Sequence, residues 1–92
     1  MSDDLSAQFQ QAAEDVTKLS EAPDNEMMLK LYALYKQATK GNCEGKRPGM
    51  LDFVGRTKYD AWKALEGKSQ DDAMKEYIAV VEELKAADAG KK

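Results

Sequence analysis

Four tyrosines, a set of lysines and one cysteine carry most of the chemistry open to this 92-residue sequence, and histidine is absent. Without histidine the usual general bases, nucleophile triads and His-containing zinc sites are unavailable. Cys43 is alone, so it has no partner for an internal disulfide. What remains is binding. Tyr32 and Lys36 stand one helical turn apart, a flat aromatic beside a fixed positive charge. Lys58, with Arg47 as a third candidate, is another cation near apolar or aromatic positions in a chain of net charge −3. Tyr35 and Tyr77 add aromatic faces and hydroxyls, which can stack on a base and donate to a phosphate. Met27, Met28, Met50 and Met74 supply adaptable apolar surface that suits a flexible hydrocarbon. A ligand with a nucleotide end and a lipid end would use all three. Residue types alone leave a second reading open, in which the tyrosines are core and the lysines are solvated.

The element that has to position Tyr32 and Lys36 is an amphipathic helix over 26–41. At about 100° per residue, Met27, Leu31, Leu34 and Ala38 share one stripe, with Lys30, Gln37 and Lys40 away from it. Tyr35, Met28, Tyr32, Leu29 and Lys36 form a second band, which widens the apolar arc to roughly 200°, about twice what a surface helix of a small bundle needs. Something besides the core should cover that band. Asp24 or Asn25 caps the start of this helix, and Gly41 with Asn42 ends it.

A first helix over 6–19 is read from Phe9, Ala12, Ala13, Val16 and Leu19, with Asp3 and Asp4 at or before its positive end. The Ala12 and Ala13 pair permits either close helix packing or a shallow groove. A third helix over 55–66 has Tyr59, Trp62 and Leu65 as its buried side and Gly67 as its stop. Ser69 and Asp72 form a capping box for a fourth, in which Ala73, Tyr77, Val80, Val81 and Leu84 recur to about residue 87. The tail, 90–92, is expected to fray. Between the second and third helices, NCEGKRPGMLDF has no helical period, and its Met50, Leu51 and Phe53 are expected to pack onto the bundle.

The length predicts a single domain over 1–92, with its core at about 6–87. A composition of 42% hydrophobic and 34% charged residues is that of a globular chain. No apolar run approaches the roughly 20 residues of a membrane span, and MSDDLSAQ lacks the features of a signal peptide, so a cytoplasmic location is expected. The acidic balance argues against nucleic-acid binding.

Three segments, YKQATKG (35–41), RPGMLDFVGRTKYDAW (47–62) and DAMKEYIAVVEEL (72–84), resemble the acyl-CoA-binding proteins, also called diazepam-binding inhibitor or endozepine. The similarity keeps the family's order and spacing from about residue 9 to 84. It implies an all-α, four-helix up-down-down-up bundle that binds long-chain acyl-CoA esters one to one, with no catalysis and no cofactor. It also implies that Tyr32, Lys36, Lys58 and Tyr77 bind the adenosine 3′-phosphate part and that Tyr35 lies at the adenine. The acyl chain would lie beside the first two helices near Ala12, Val16, Met28 and Leu29. Such a protein is expected to be a monomer that buffers and carries acyl-CoA, exchanges it with acyl-CoA-using enzymes and does not insert stably into membranes. Many members carry lysine where this chain has Thr17 and Val54, so a less basic pocket is expected here. Two rival classes remain distinguishable: a module that takes a partner helix on the second band, and a CoA-dependent enzyme, which would consume thioester.

Overall fold

The computed structural model describes residues 2–90. Its regular elements are α1 (Ser2–Asp15), a short 3-10 turn (Val16–Lys18), α2 (Asn25–Lys40), α3 (Phe53–Lys63) and α4 (Gln70–Ala89). Phe9 and Ala12 of α1, Leu31, Leu34 and Ala38 of α2, and Ala73, Tyr77, Val80 and Val81 of α4 form the core. α3 has no fully buried residue and packs against α2.

Side-chain contacts fix the direction of each helix. Phe9 meets Tyr77, and further along Asp15 meets Lys85, so α1 and α4 run parallel. Phe9 also meets Tyr35, while Val16 shares a cavity with Met28. α2 therefore runs against α1. Lys58 lies over the Tyr32 ring and Lys36 over Trp62 with the same stagger, so α3 runs parallel to α2. The result is an up-down-down-up bundle. A parallel neighbour cannot be reached by a tight turn, because the chain must first travel back along the helix it has just left; hence the long crossover at 41–52.

Polar groups fasten that crossover. Gly41 O accepts from Trp62 Nε1 at 2.8 Å, and Gly45 O accepts from the Tyr59 hydroxyl at 3.1 Å. Arg47 donates two bonds to Asp60, at 2.9 and 2.7 Å. Met50, Leu51 and Phe53, expected to pack inward, instead stand 77%, 96% and 73% exposed. The cause is local. Asp52 N–H donates to Gly49 O, and the Asp52 carboxylate caps α3 by accepting from Gly55 N–H. Met50 and Leu51 thus become the central pair of a tight turn. At Gly55 a Cβ would run into the capping carboxylate, so glycine suits that position.

Other boundaries also shift from the sequence reading. α1 starts at Ser2, which puts Asp3 and Asp4 in its first turn, and it gives way to the 3-10 turn after Asp15. There Thr17 Oγ1 donates to Glu14 O, so a side chain competes for a carbonyl near the helix end. Asp24, rather than Asn25, caps α2, and Ser69 caps α4. α3 runs two residues earlier than expected at its start because Asp52 caps it. Tyr59, Trp62 and Leu65 are half-buried rather than buried. Gly90 closes α4 by donating its N–H to Ala86 O, and Lys91 and Lys92 lie outside the described residues.

Gln37 needs the largest correction. Placed away from the core stripe by its angle on the helix, it is fully buried. Its Nε2 donates to Asn42 Oδ1 at 3.0 Å and to Lys68 O at 2.7 Å, which ties the end of α2 to the loops on either side of α3. These two bonds satisfy its NH2, while its Oε1 is buried with no partner among the described residues.

The ends of α1 and α4 are joined by Lys85 Nζ and Asp15 Oδ2 at 2.9 Å. The Lys85 bond, then that of Gln11, holds the Asp15 carboxyl below its ordinary pKa. A depressed carboxylate stabilises the fold at neutral pH and loses that contribution as pH falls through its folded pKa. Asp15→Asn should therefore lower Tm by only a few degrees at neutral pH. The gap from wild type should begin to narrow as pH falls to roughly 4, the ordinary carboxylate value, and close as pH falls on through the lower folded pKa. Thermal melts from pH 7 to pH 3 check this; a gap that widened in acid would assign the effect elsewhere.

Candidate ligand-binding site

Two cavities flank a ridge formed by Met28 and Tyr32, which line both. The first, about 450 Å³, lies between the 3-10 turn, α2 and α4, with Val16, Tyr35 and Tyr77 among its walls and Leu19 and Pro23 closing one side. Its shape depends on the 3-10 turn and on the extended backbone at Leu19, which carry the chain away from the bundle before α2 begins. The second, about 680 Å³, lies between the parallel helices α2 and α3, with Leu29 facing Phe53, Val54 and Thr57. Both have more apolar than polar wall, as ligand sites commonly do.

An aromatic group backs the first cavity. Phe9 stacks on Tyr35 with ring centroids 5.5 Å apart and meets Tyr77 edge-on at 5.0 Å. Tyr35 is 43% exposed, which leaves part of its ring open to a visitor. Burial raises the Tyr77 phenol above its ordinary pKa, and the neighbouring Tyr35 adds to the shift. Its hydroxyl stays protonated at neutral pH and can donate.

The cations gather around Tyr32. Lys58 Nζ lies 5.1 Å from the centre of that ring, and Lys36 Nζ lies 5.8 Å from it and 5.7 Å from the Trp62 ring. Among the described residues neither ammonium is ion-paired. Two positive charges thus stand against one aromatic ring, which holds them by cation–π attraction and leaves their hydrogen-bonding capacity unspent. Arg47, the third candidate, is engaged otherwise: Asp60 binds it bidentately and raises its pKa, and it lines neither cavity.

Val16, Met28, Leu29, Tyr32, Tyr35, Lys58 and Tyr77 all line one cavity or the other, and Lys36 stands beside Tyr32. Ala12 does not. It is packed in the core, which decides for close helix packing at that position. Met27 and Met74 pack against the core and Met50 is exposed, so Met28 is the one of the four methionines that lines these cavities. Phe53 and Thr57 are cavity walls absent from the sequence-based set. Their i, i+4 spacing on the first turns of α3 is a legible signal only once the helix starts at Phe53 rather than at Gly55.

Residues 6–81 match the family model described as Acyl CoA binding protein. The chain belongs to that family. It is 52% identical over 85 residues to the acyl-CoA-binding protein of Brassica napus, a match covering 92% of each chain. It is 48% identical over 87 residues to acyl-CoA-binding domain-containing protein 6 of Arabidopsis thaliana, covering 95% of each. Among solved structures, that of Oryza sativa acyl-CoA-binding protein 2 superposes with a TM-score of 0.90 at 43% identity, over 96% of each chain. The second apolar band of α2 borders both cavities, with Tyr32 between them.

Proposed function

We propose that this protein binds long-chain acyl-CoA esters one to one, as a cytoplasmic monomer, and buffers and carries them without chemical change. The observation that carries this reading is the pair of unpaired lysines on Tyr32, where an aromatic-backed cavity adjoins an apolar groove. The nucleotide end takes the first cavity: adenine against the open face of Tyr35, and the 3′-phosphate within reach of Tyr32, Lys36, Lys58 and Tyr77. The acyl chain takes the groove between α2 and α3, along Met28 and Leu29. Val16 then belongs to the nucleotide side, while Ala12 supports the site from the core.

Burying a methylene is worth about 0.8 kcal/mol, so a dozen carbons offer up to roughly 10 kcal/mol before the ordering costs of association. Thr17 adds no charge to the first cavity, and its hydroxyl is bound to Glu14 O. Lys18 does not replace the family's lysine there, since it lines a separate cleft with Asp15 and Lys85. Binding therefore relies on Lys36 and Lys58 for the phosphates.

Calorimetric titration with CoA, a free fatty acid, and medium- and long-chain acyl-CoA tests this. One-to-one binding is expected, with affinity rising with chain length and each isolated end binding at least about tenfold more weakly than the ester. A fatty acid that bound as tightly as its CoA ester would sink the reading.

Cys43 serves as an internal control. Its thiol donates to Tyr59 O at 3.9 Å, and it lines neither cavity. In the same titration Cys43→Ser should stay within a few-fold of wild type; a large loss with an intact fold would put ligand against the crossover loop.

A further inference from the structure

We propose that the turn carrying Met50 and Leu51 docks this protein on the surface of an anionic lipid bilayer. An apolar side chain exposed at 96%, as Leu51 is, touches almost nothing of its own fold, and Met50 beside it is 77% exposed. Together they form a projecting tip. A tip needs either a matching pocket on one particular partner or a soft apolar medium that accepts any shape, and the surrounding charge favours the second. From 44 to 60 the chain carries four cations, Lys46, Arg47, Arg56 and Lys58, against three carboxylates, Glu44, Asp52 and Asp60. Arg47 and Asp60 neutralise each other, and the Asp52 carboxylate is turned into the cap of α3. This stretch is thus basic in a chain whose net charge is −3. Exposed apolar residues flanked by cations complement a bilayer with anionic headgroups, the apolar residues entering the interface and the cations staying at headgroup level.

Continuity with the groove supplies the second argument. Phe53 follows the turn after one residue, is 73% exposed, and with Val54 forms a wall of the α2–α3 groove. A bilayer seated on the turn would therefore lie at the mouth of that groove. An acyl chain could then pass between bilayer and groove with little of it crossing water; this purpose rests on the carrier reading, whereas the docking does not. The attachment is peripheral, since among the described residues no helix is long and apolar enough to cross a membrane.

Ligand-free protein is sedimented with phosphatidylcholine vesicles and with vesicles containing added phosphatidylserine. Binding is expected only to the second kind, weakening as salt is added. The double substitution Met50→Ser, Leu51→Ser should reduce it at least about tenfold, and Lys46→Glu should reduce it further at low salt. Both side chains are exposed and line neither cavity, so the double variant should keep its fold and its affinity for acyl-CoA in solution. Wild type failing to prefer phosphatidylserine vesicles, or the double variant binding them as well as wild type, would overturn the proposal. So would a concentration-dependent dimer dissolved by the double substitution without vesicle binding, which would assign the turn to a second copy of the chain. No acyl-CoA is present, so the vesicle result stands or falls independently of the titrations above.

Discussion

Leu34→Ala is expected to destabilise the fold by about 2–5 kcal/mol, whereas Leu29→Ala on the same helix should leave stability nearly intact and weaken acyl-CoA binding instead. Leu34 is fully buried among core residues of α1, α2 and α4. Truncating it removes the transfer free energy of the lost carbons and leaves a cavity that close-packed neighbours fill only partly. For a domain of this size, each kcal/mol is roughly 4–8 °C in Tm, so a drop of about 10–30 °C is expected. Leu29 is half-buried and faces the α2–α3 groove, where its carbons would meet an acyl chain rather than the core. Its truncation exposes groove surface to the ligand, costing affinity about three- to thirtyfold at the transfer value per methylene. Thermal melts and calorimetry on both variants decide the matter. Equal losses of stability would mean that the second band is core after all, as the competing reading of the sequence would have it.

That contrast also shows how far the sequence could be read. The two stripes of α2 are legible because apolar letters at helical spacing report a face, and an arc twice as wide as packing needs reports a second occupant. The same rule misplaces Gln37, whose angle on the helix hides a burial in which Asn42 and the Lys68 carbonyl satisfy its NH2, partners no spacing argument could supply. It misplaces Met50, Leu51 and Phe53 in the opposite sense. Apolar residues are usually inside, but an exposed one breaks no physical rule, and the turn that exposes them is set by the Asp52 cap and its bond to Gly49. The parallel course of α2 and α3 was not legible from periodicity at all, because period gives a helix its face and says nothing of its direction. Only the resemblance carried it. The meeting of Lys36 and Lys58 on Tyr32 depends on that direction.

Lys36→Ala and Lys58→Ala are each expected to weaken long-chain acyl-CoA binding by roughly 10- to 100-fold, because a charge-assisted hydrogen bond contributes about 1.5–3 kcal/mol. Stability should barely change: among the described residues neither lysine is ion-paired, and an exposed cation–π contact is worth only about 0.5–1 kcal/mol. Arg47→Ala provides the comparison. It removes an equal charge from the same region, but one held by Asp60 and facing neither cavity, so affinity should fall by no more than a few-fold. The 3′-phosphate can then be tested by removing it from the ligand. Wild type should lose about as much affinity for the dephosphorylated ligand as it loses through either substitution, while the lysine variants should hardly respond, since the partner of that phosphate is already gone. In the resulting double-mutant cycle the coupling energy is the signature of contact. If wild type and both variants lost equal, additive amounts on removal of the phosphate, Lys36 and Lys58 would act through general charge rather than by holding it. The nucleotide end would then have to be placed elsewhere in the first cavity, even in a protein that binds acyl-CoA tightly.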